Sequence, residues 1–101
     1  MLISTLLVKV VGMVTIWFTS ALRRFLPTPS AEVEAATVGE ALARVFATQP
    51  ALRGYVLDDQ GVLRRHVAIY LNGEPVRDRW HLTDPVGPAA DIYVFQALSG
   101  G

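Results

Sequence analysis

The fold class this sequence predicts is α+β, one helix packed on one mixed sheet of four to five strands, and three observations predict it. Near both ends of the chain, side chains alternate in the period of two that marks a strand with one buried face. Thr37, followed three residues later by Glu40, forms a capping box ahead of an apolar run with helical spacing. Asn72-Gly73, set between two apolar segments, is the dipeptide favoured in a two-residue type I′ hairpin turn, because both positions tolerate positive φ.

The first strand rests on Val14, Ile16 and Phe18 alternating with Thr15, Trp17 and Thr19. The stretch SALRRFLPTPS then brings Pro27, Pro29 and Ser30, so the chain turns there. From Ala31 to Ala36, Val33 and Ala35 alternate with Glu32 and Glu34, which suits a half-exposed strand with its carboxylates toward water. After Thr37, the positions Val38, Leu42, Val45 and Phe46 share one helical face with Ala41 between them, and Pro50 ends the run. Asp58, Asp59, Gln60 and Gly61 make a turn cluster. Val67, Ile69 and Leu71 then alternate with His66, Ala68 and Tyr70 as a third strand. Asn72-Gly73 returns the chain into a short edge strand from Glu74 to Val76, where Pro75 is tolerated. Beyond Pro85, Gly87 and Pro88, the segment DIYVFQAL sets Ile92, Val94, Gln96 and Leu98 against Tyr93, Phe95 and Ala97.

The chain has 101 residues, 51% hydrophobic and 18% charged, the size of one small domain. Nine basic and nine acidic residues cancel, so the basic stripe of a nucleic-acid binder is missing and nucleic acid is not an expected partner. Cysteine is absent, which excludes disulfides and thiolate metal sites and leaves packing to hold the core. Residues 1–12 read as an N-terminal extension or an upstream start, and residues 13–101 as the domain. In the apolar run from Leu2 to Phe18, Lys9 lies inside the stretch rather than ahead of it, unlike a secretory signal. The same lysine near the middle of a membrane span costs about 3 kcal/mol. No membrane partner is expected, and the expected location is cytoplasmic.

No stand-alone active site is visible. His66 and His81 lie fifteen residues apart on different elements, outside the spacing of recurrent metal pairs, so no metal site is expected. His66 reads as strand-face packing and His81 as a loop residue. Asp58 and Asp59 read as turn formers. The glycines form neither a phosphate loop nor a dinucleotide fingerprint, and no serine sits in a nucleophile elbow. Arg23-Arg24 and Arg64-Arg65 are short basic pairs that suit solvated edges or an acidic partner. Trp17 and Trp80 fit either a core or an exposed docking face, and alternation leaves both readings open.

The last apolar strand runs directly through Leu98 and Ser99 into Gly100 and Gly101. Lacking β-carbons, such a tail can thread a channel too narrow for other residues. The terminal FQALSGG, the hairpin YLNGEPV, the following RDRW and the TVGEAL helix start resemble the MoaD/ThiS family of small sulfur carriers over nearly everything from Met13 onward. The resemblance implies the ubiquitin-like β-grasp fold, with which the order of elements agrees. The FQ-x-L-S-GG ending and RDRW look like the thiamine-biosynthesis carriers. The length and the stretch between Pro50 and Val67 look like the molybdopterin and cysteine-biosynthesis branches, so the pathway stays open.

What the resemblance implies mechanistically is a carrier, not an enzyme. An adenylating, E1-like activating enzyme uses ATP and Mg to convert the Gly101 carboxylate into an acyl-adenylate, the chain itself binding no cofactor. Sulfur from a sulfur donor then gives a thiocarboxylate, which serves a sulfur-acceptor synthase. Ser99 and Gly100 complete the tail, and Phe95 and Leu98 are the candidate residues for docking the activating enzyme. Two other readings remain: a ubiquitin-like modifier joined to targets through Gly101, and a non-catalytic binding module.

Overall fold

The computed structural model describes residues 12–19, 22 and 30–96. In chain order the elements are β1 (Gly12–Phe18), β2 (Ser30–Ala35), α1 (Val38–Thr48), α2 (Pro50–Val56), β3 (Val67–Leu71), β4 (Glu74–Pro75) and β5 (Asp91–Gln96). The strands form one sheet in the order β2-β1-β5-β3-β4. β1 and β5 are parallel, and every other pairing is antiparallel, so the sheet is mixed.

Register carries the alternation of each strand across the whole sheet. Val14 lies opposite Val33, Ile16 opposite Ile92, and Val94 opposite both Phe18 and Ile69. One face therefore collects the buried side chains of β1, β3 and β5, and the helices cover it. From α1 come Val38, Ala41, Leu42, Val45 and Phe46, all buried. The capping box forms: the Glu40 amide donates to Thr37 Oγ1 at 3.1 Å, and Glu40 Oε1 accepts from the Ala36 amide at 2.6 Å. The amides of Val38 and Gly39 donate to Asp84 O and Leu82 O, so the segment between β4 and β5 caps the helix as well. Gly39 permits that approach, since a β-carbon there would stand 3.1 Å from Leu82 O.

Both residues of the hairpin turn have positive φ, 50° at Asn72 and 88° at Gly73, and β4 is an edge strand carrying Pro75. Three expectations need correction. The fold has two helices rather than one, because Pro50 both stops α1 and opens α2, where its fixed φ and missing amide suit the first turn. His66 does not pack on a strand face: it is exposed in the turn before β3, which starts at Val67. Gly12 belongs to β1, opposite Ala35, with Pro88 packed where its β-carbon would lie. Residues 1–11 of the expected extension lie outside the described residues.

Candidate functional site

The candidate site is the carboxyl end of β5 and the sheet face around it. β5 is held on both sides to its last residue. Thr19 N donates to Val94 O at 3.1 Å, Gln96 N donates to Thr19 Oγ1 at 3.3 Å, and Gln96 pairs with Val67 of β3. At the other end, Asn72 exchanges two bonds with Asp91: its amide donates to Asp91 O, and its Oδ1 accepts from the Asp91 amide. The strand leading to the tail is thus fixed by its neighbours. Leu98, Ser99, Gly100 and Gly101 lie outside the described residues.

Phe95 is exposed, on the sheet face opposite the helices. It does not stand alone. Trp17 and Tyr93 stack with centroids 5.8 Å apart, Tyr93 and Phe95 stack at 6.1 Å, and Tyr70 meets Phe95 edge-on at 5.5 Å. Trp17 Nε1 donates to Asp91 Oδ1 at 3.3 Å, which fixes the indole at the end of the row. Such contacts hold the rings in place, each contributing about 0.5–1.5 kcal/mol beyond area burial. Tyr70, Tyr93, Phe95, Ala68 and Gly73 line a shallow apolar depression on this face. Tyr93 was legible as a partner of Phe95, since both share one parity of β5. Tyr70 and Trp17 were not, because they join the row only through cross-strand register.

Carboxylates near the site organise backbone. Asp78 accepts from the amides of Trp80, His81 and Thr83 and from the Thr83 hydroxyl, the last at 2.6 Å. Led by that hydroxyl bond, these donors hold its carboxyl down at about 2, from an ordinary value near 3.8. Asp58 is lowered as well, chiefly by the Val62 amide, with Gln60, Arg64 and Arg53 acting in the same direction against partial desolvation. Both carboxylates are therefore ionised turn formers at neutral pH. No three His, Cys, Asp or Glu side chains among the described residues converge on a possible metal position. Nor is any helix among them long and apolar enough to cross a membrane.

The family model of the ThiS family matches residues 17–101. The chain belongs to the ThiS family. Its ubiquitin-like β-grasp architecture recurs in solved structures. The crystal structure of SAMP1 from Haloferax volcanii is 27% identical, with 89% of this chain and 100% of that one covered and a TM-score of 0.78. The Amycolatopsis orientalis BexX/CysO complex contains a chain 26% identical, with 87% and 99% covered and a TM-score of 0.77. Urm1 from Trypanosoma brucei shares the fold at 13% identity, 93% and 100% coverage and a TM-score of 0.66. No curated protein gives a significant sequence match. A ThiS-family chain with these neighbours is a sulfur carrier or a ubiquitin-like modifier, a small non-catalytic protein.

Proposed function

We propose that this ThiS-family chain is a sulfur carrier whose Gly101 carboxylate is activated and then converted to a thiocarboxylate. The observation that carries the reading is the family match through residue 101, which takes in the Gly-Gly ending. A carboxylate oxygen attacks the α-phosphorus of ATP at an E1-like enzyme, pyrophosphate leaves, and the acyl-adenylate forms. Nucleotide and magnesium belong to that enzyme. Sulfur at the sulfide level, brought by a sulfur donor, displaces AMP at the acyl carbon. The ionised thiocarboxylate then supplies sulfur to a precursor at an acceptor synthase, in the biosynthesis of molybdopterin, thiamine, cysteine or a related product. Because adenylation draws on ATP, we place the chain in the cytoplasm.

The aromatic face with Phe95, together with Leu98, is the docking surface this reading assigns to the activating enzyme. That CysO was crystallised in a complex with BexX supports a carrier that works by docking on a partner protein. ATP–pyrophosphate exchange with the activating enzyme of the same organism tests the reading. Deleting Gly101, or adding one residue after it, should abolish exchange without changing the melting temperature. One residue displaces the carboxylate by about 3.3 Å, comparable to the whole reacting distance of about 3–3.5 Å. Gly100→Val should fail as well, since a branched side chain stiffens and widens the tail. Wild-type exchange by the Gly101 deletion would falsify the carrier mechanism. Intact mass of the chain from its host should reveal sulfur in place of one oxygen.

A second reading, conjugation to target lysines, is favoured by the similarity to SAMP1, a small archaeal modifier protein. Lysine-linked conjugates in the host would decide for it. The binding-module reading predicts instead that loss of the tail has no effect.

A further inference from the structure

Arg64, Arg65, His66, Arg79 and Trp80 line one cleft, with Asp58 at its side. Register locates it: Val67 pairs with Gln96, so the turn carrying Arg64, Arg65 and His66 lies beside the end of β5. Trp80 is the most exposed large apolar side chain among the described residues, at 66%. Its loop is pinned, because Asp78 gathers three amides and a hydroxyl, and the amides of Arg77 and Asp78 donate to the two carboxylate oxygens of Asp84. An indole displayed on a fixed loop loses little freedom when a partner covers it, and tryptophan is among the strongest interface anchors.

The positive charge around that indole is only partly cancelled. Arg79 donates from Nη1 to Val67 O and from Nη2 to Arg64 O, both at 3.0 Å, and Arg64 donates from Nε to Gly54 O at 2.8 Å. Carbonyl oxygens satisfy these donors, and the one carboxylate that lines the cleft, Asp58, faces the three guanidinium groups of Arg64, Arg65 and Arg79, so the lining keeps a positive excess. Asp58 Oδ1 is committed to the Gln60 and Val62 amides. Arg65 and His66 are exposed.

We propose that this cleft is a second docking surface, which takes an acidic segment of the activating enzyme beside the channel that receives the tail. The proposal rests on the carrier reading, under which every carrier must be activated whichever acceptor follows. Guanidinium groups pair with carboxylates in a planar, two-bond geometry that suits such a segment. Reach argues against the nucleotide as occupant. Residues 97–101, drawn out, span about 17 Å, and an arginine side chain covers less than half of that. The cations therefore meet the rim of the channel rather than the ATP at its end.

Pyrophosphate exchange with the full chain and the activating enzyme of the same organism, at about 50 and about 300 mM salt, tests the inference. Arg65→Glu is expected to raise KM roughly tenfold at low salt, to leave kcat within about twofold and to flatten the salt dependence. Trp80→Ala should raise KM by a similar factor of roughly ten. Both side chains are exposed, so melting temperatures should hold, and Arg65→Lys, which keeps the charge but not the two-bond fork, should recover only part of the affinity. Unchanged KM in both variants, while Gly101 deletion still silences exchange, overturns the cleft and leaves the carrier standing. A response to Trp80→Ala without one to Arg65→Glu overturns the acidic partner. Exchange that survives Gly101 deletion overturns the carrier reading, and the cleft with it.

Discussion

Asp78 shows how one carboxylate can stand in for an element of secondary structure. It closes the segment between β4 and β5 by accepting from Trp80, His81 and Thr83, and so sets where Leu82 and Asp84 meet the start of α1. Its carboxyl is lowered to about 2 in the folded chain, against an ordinary value near 3.8. A group depressed in this way contributes stability that is fully present above the ordinary value and is lost as pH falls toward the folded one. Urea midpoints of the wild type should therefore drop between about pH 4 and pH 2. Asp78→Asn should be less stable at pH 7, because an amide cannot accept at both positions, and its curve should be flatter through that acid window. Parallel slopes for the two proteins would show that Asp78 is not the titrating group. Gly54 offers the opposite case. It lies in α2, and a β-carbon there meets nothing within 4 Å. Gly54→Ala should raise stability by about 0.5–1 kcal/mol, read from the shift in urea midpoint.

At the scale of elements, α1 was legible because its signals agree: cap, apolar face and stop all lie within one segment. Removing the cap with Thr37→Ala should cost about 1 kcal/mol in chemical denaturation, with the Val38–Thr48 helix otherwise retained. α2 was not legible, for two reasons. Pro50 is an equally good end and beginning, and seven residues containing a glycine are too short for periodicity to register. His66 was misplaced because alternation runs unbroken from a turn into a strand, and only the ladder shows where pairing starts. β5 was legible as an alternating strand, but alternation alone did not say which parity is buried; the fold buries Ile92 and Val94, and the outer face is one part of a row crossing three strands. Phe95→Ala should therefore raise KM for activation roughly tenfold under conditions where the variant is folded, and should lower stability by about 1–3 kcal/mol as its contacts with Tyr70 and Tyr93 are lost. An unchanged KM would remove this face from the docking surface.

For the whole molecule, no local signal could have given the strand order, which places the last strand between the first and the third. The Gly-Gly ending was plain in the sequence, and so were the basic pair at Arg64-Arg65 and Trp80. That the latter two share a cleft depends on the fold of residues 56–66 and 76–82, which turn on Asp58 and Asp78. Shortening the chain should respect β1: a version beginning at Gly12 is expected to unfold with the wild-type midpoint. One that also lacks Gly12 loses the contact with Pro88 and the pairing with Ala35, and should melt lower. The central position of β5 has a mechanical meaning too. A partner that grips the tail pulls along a strand bonded on both flanks, so the load falls on two ladders in shear rather than peeling an edge bond by bond. On the proposed carrier reading, such a strand would let a partner seize and release the tail repeatedly while the core holds.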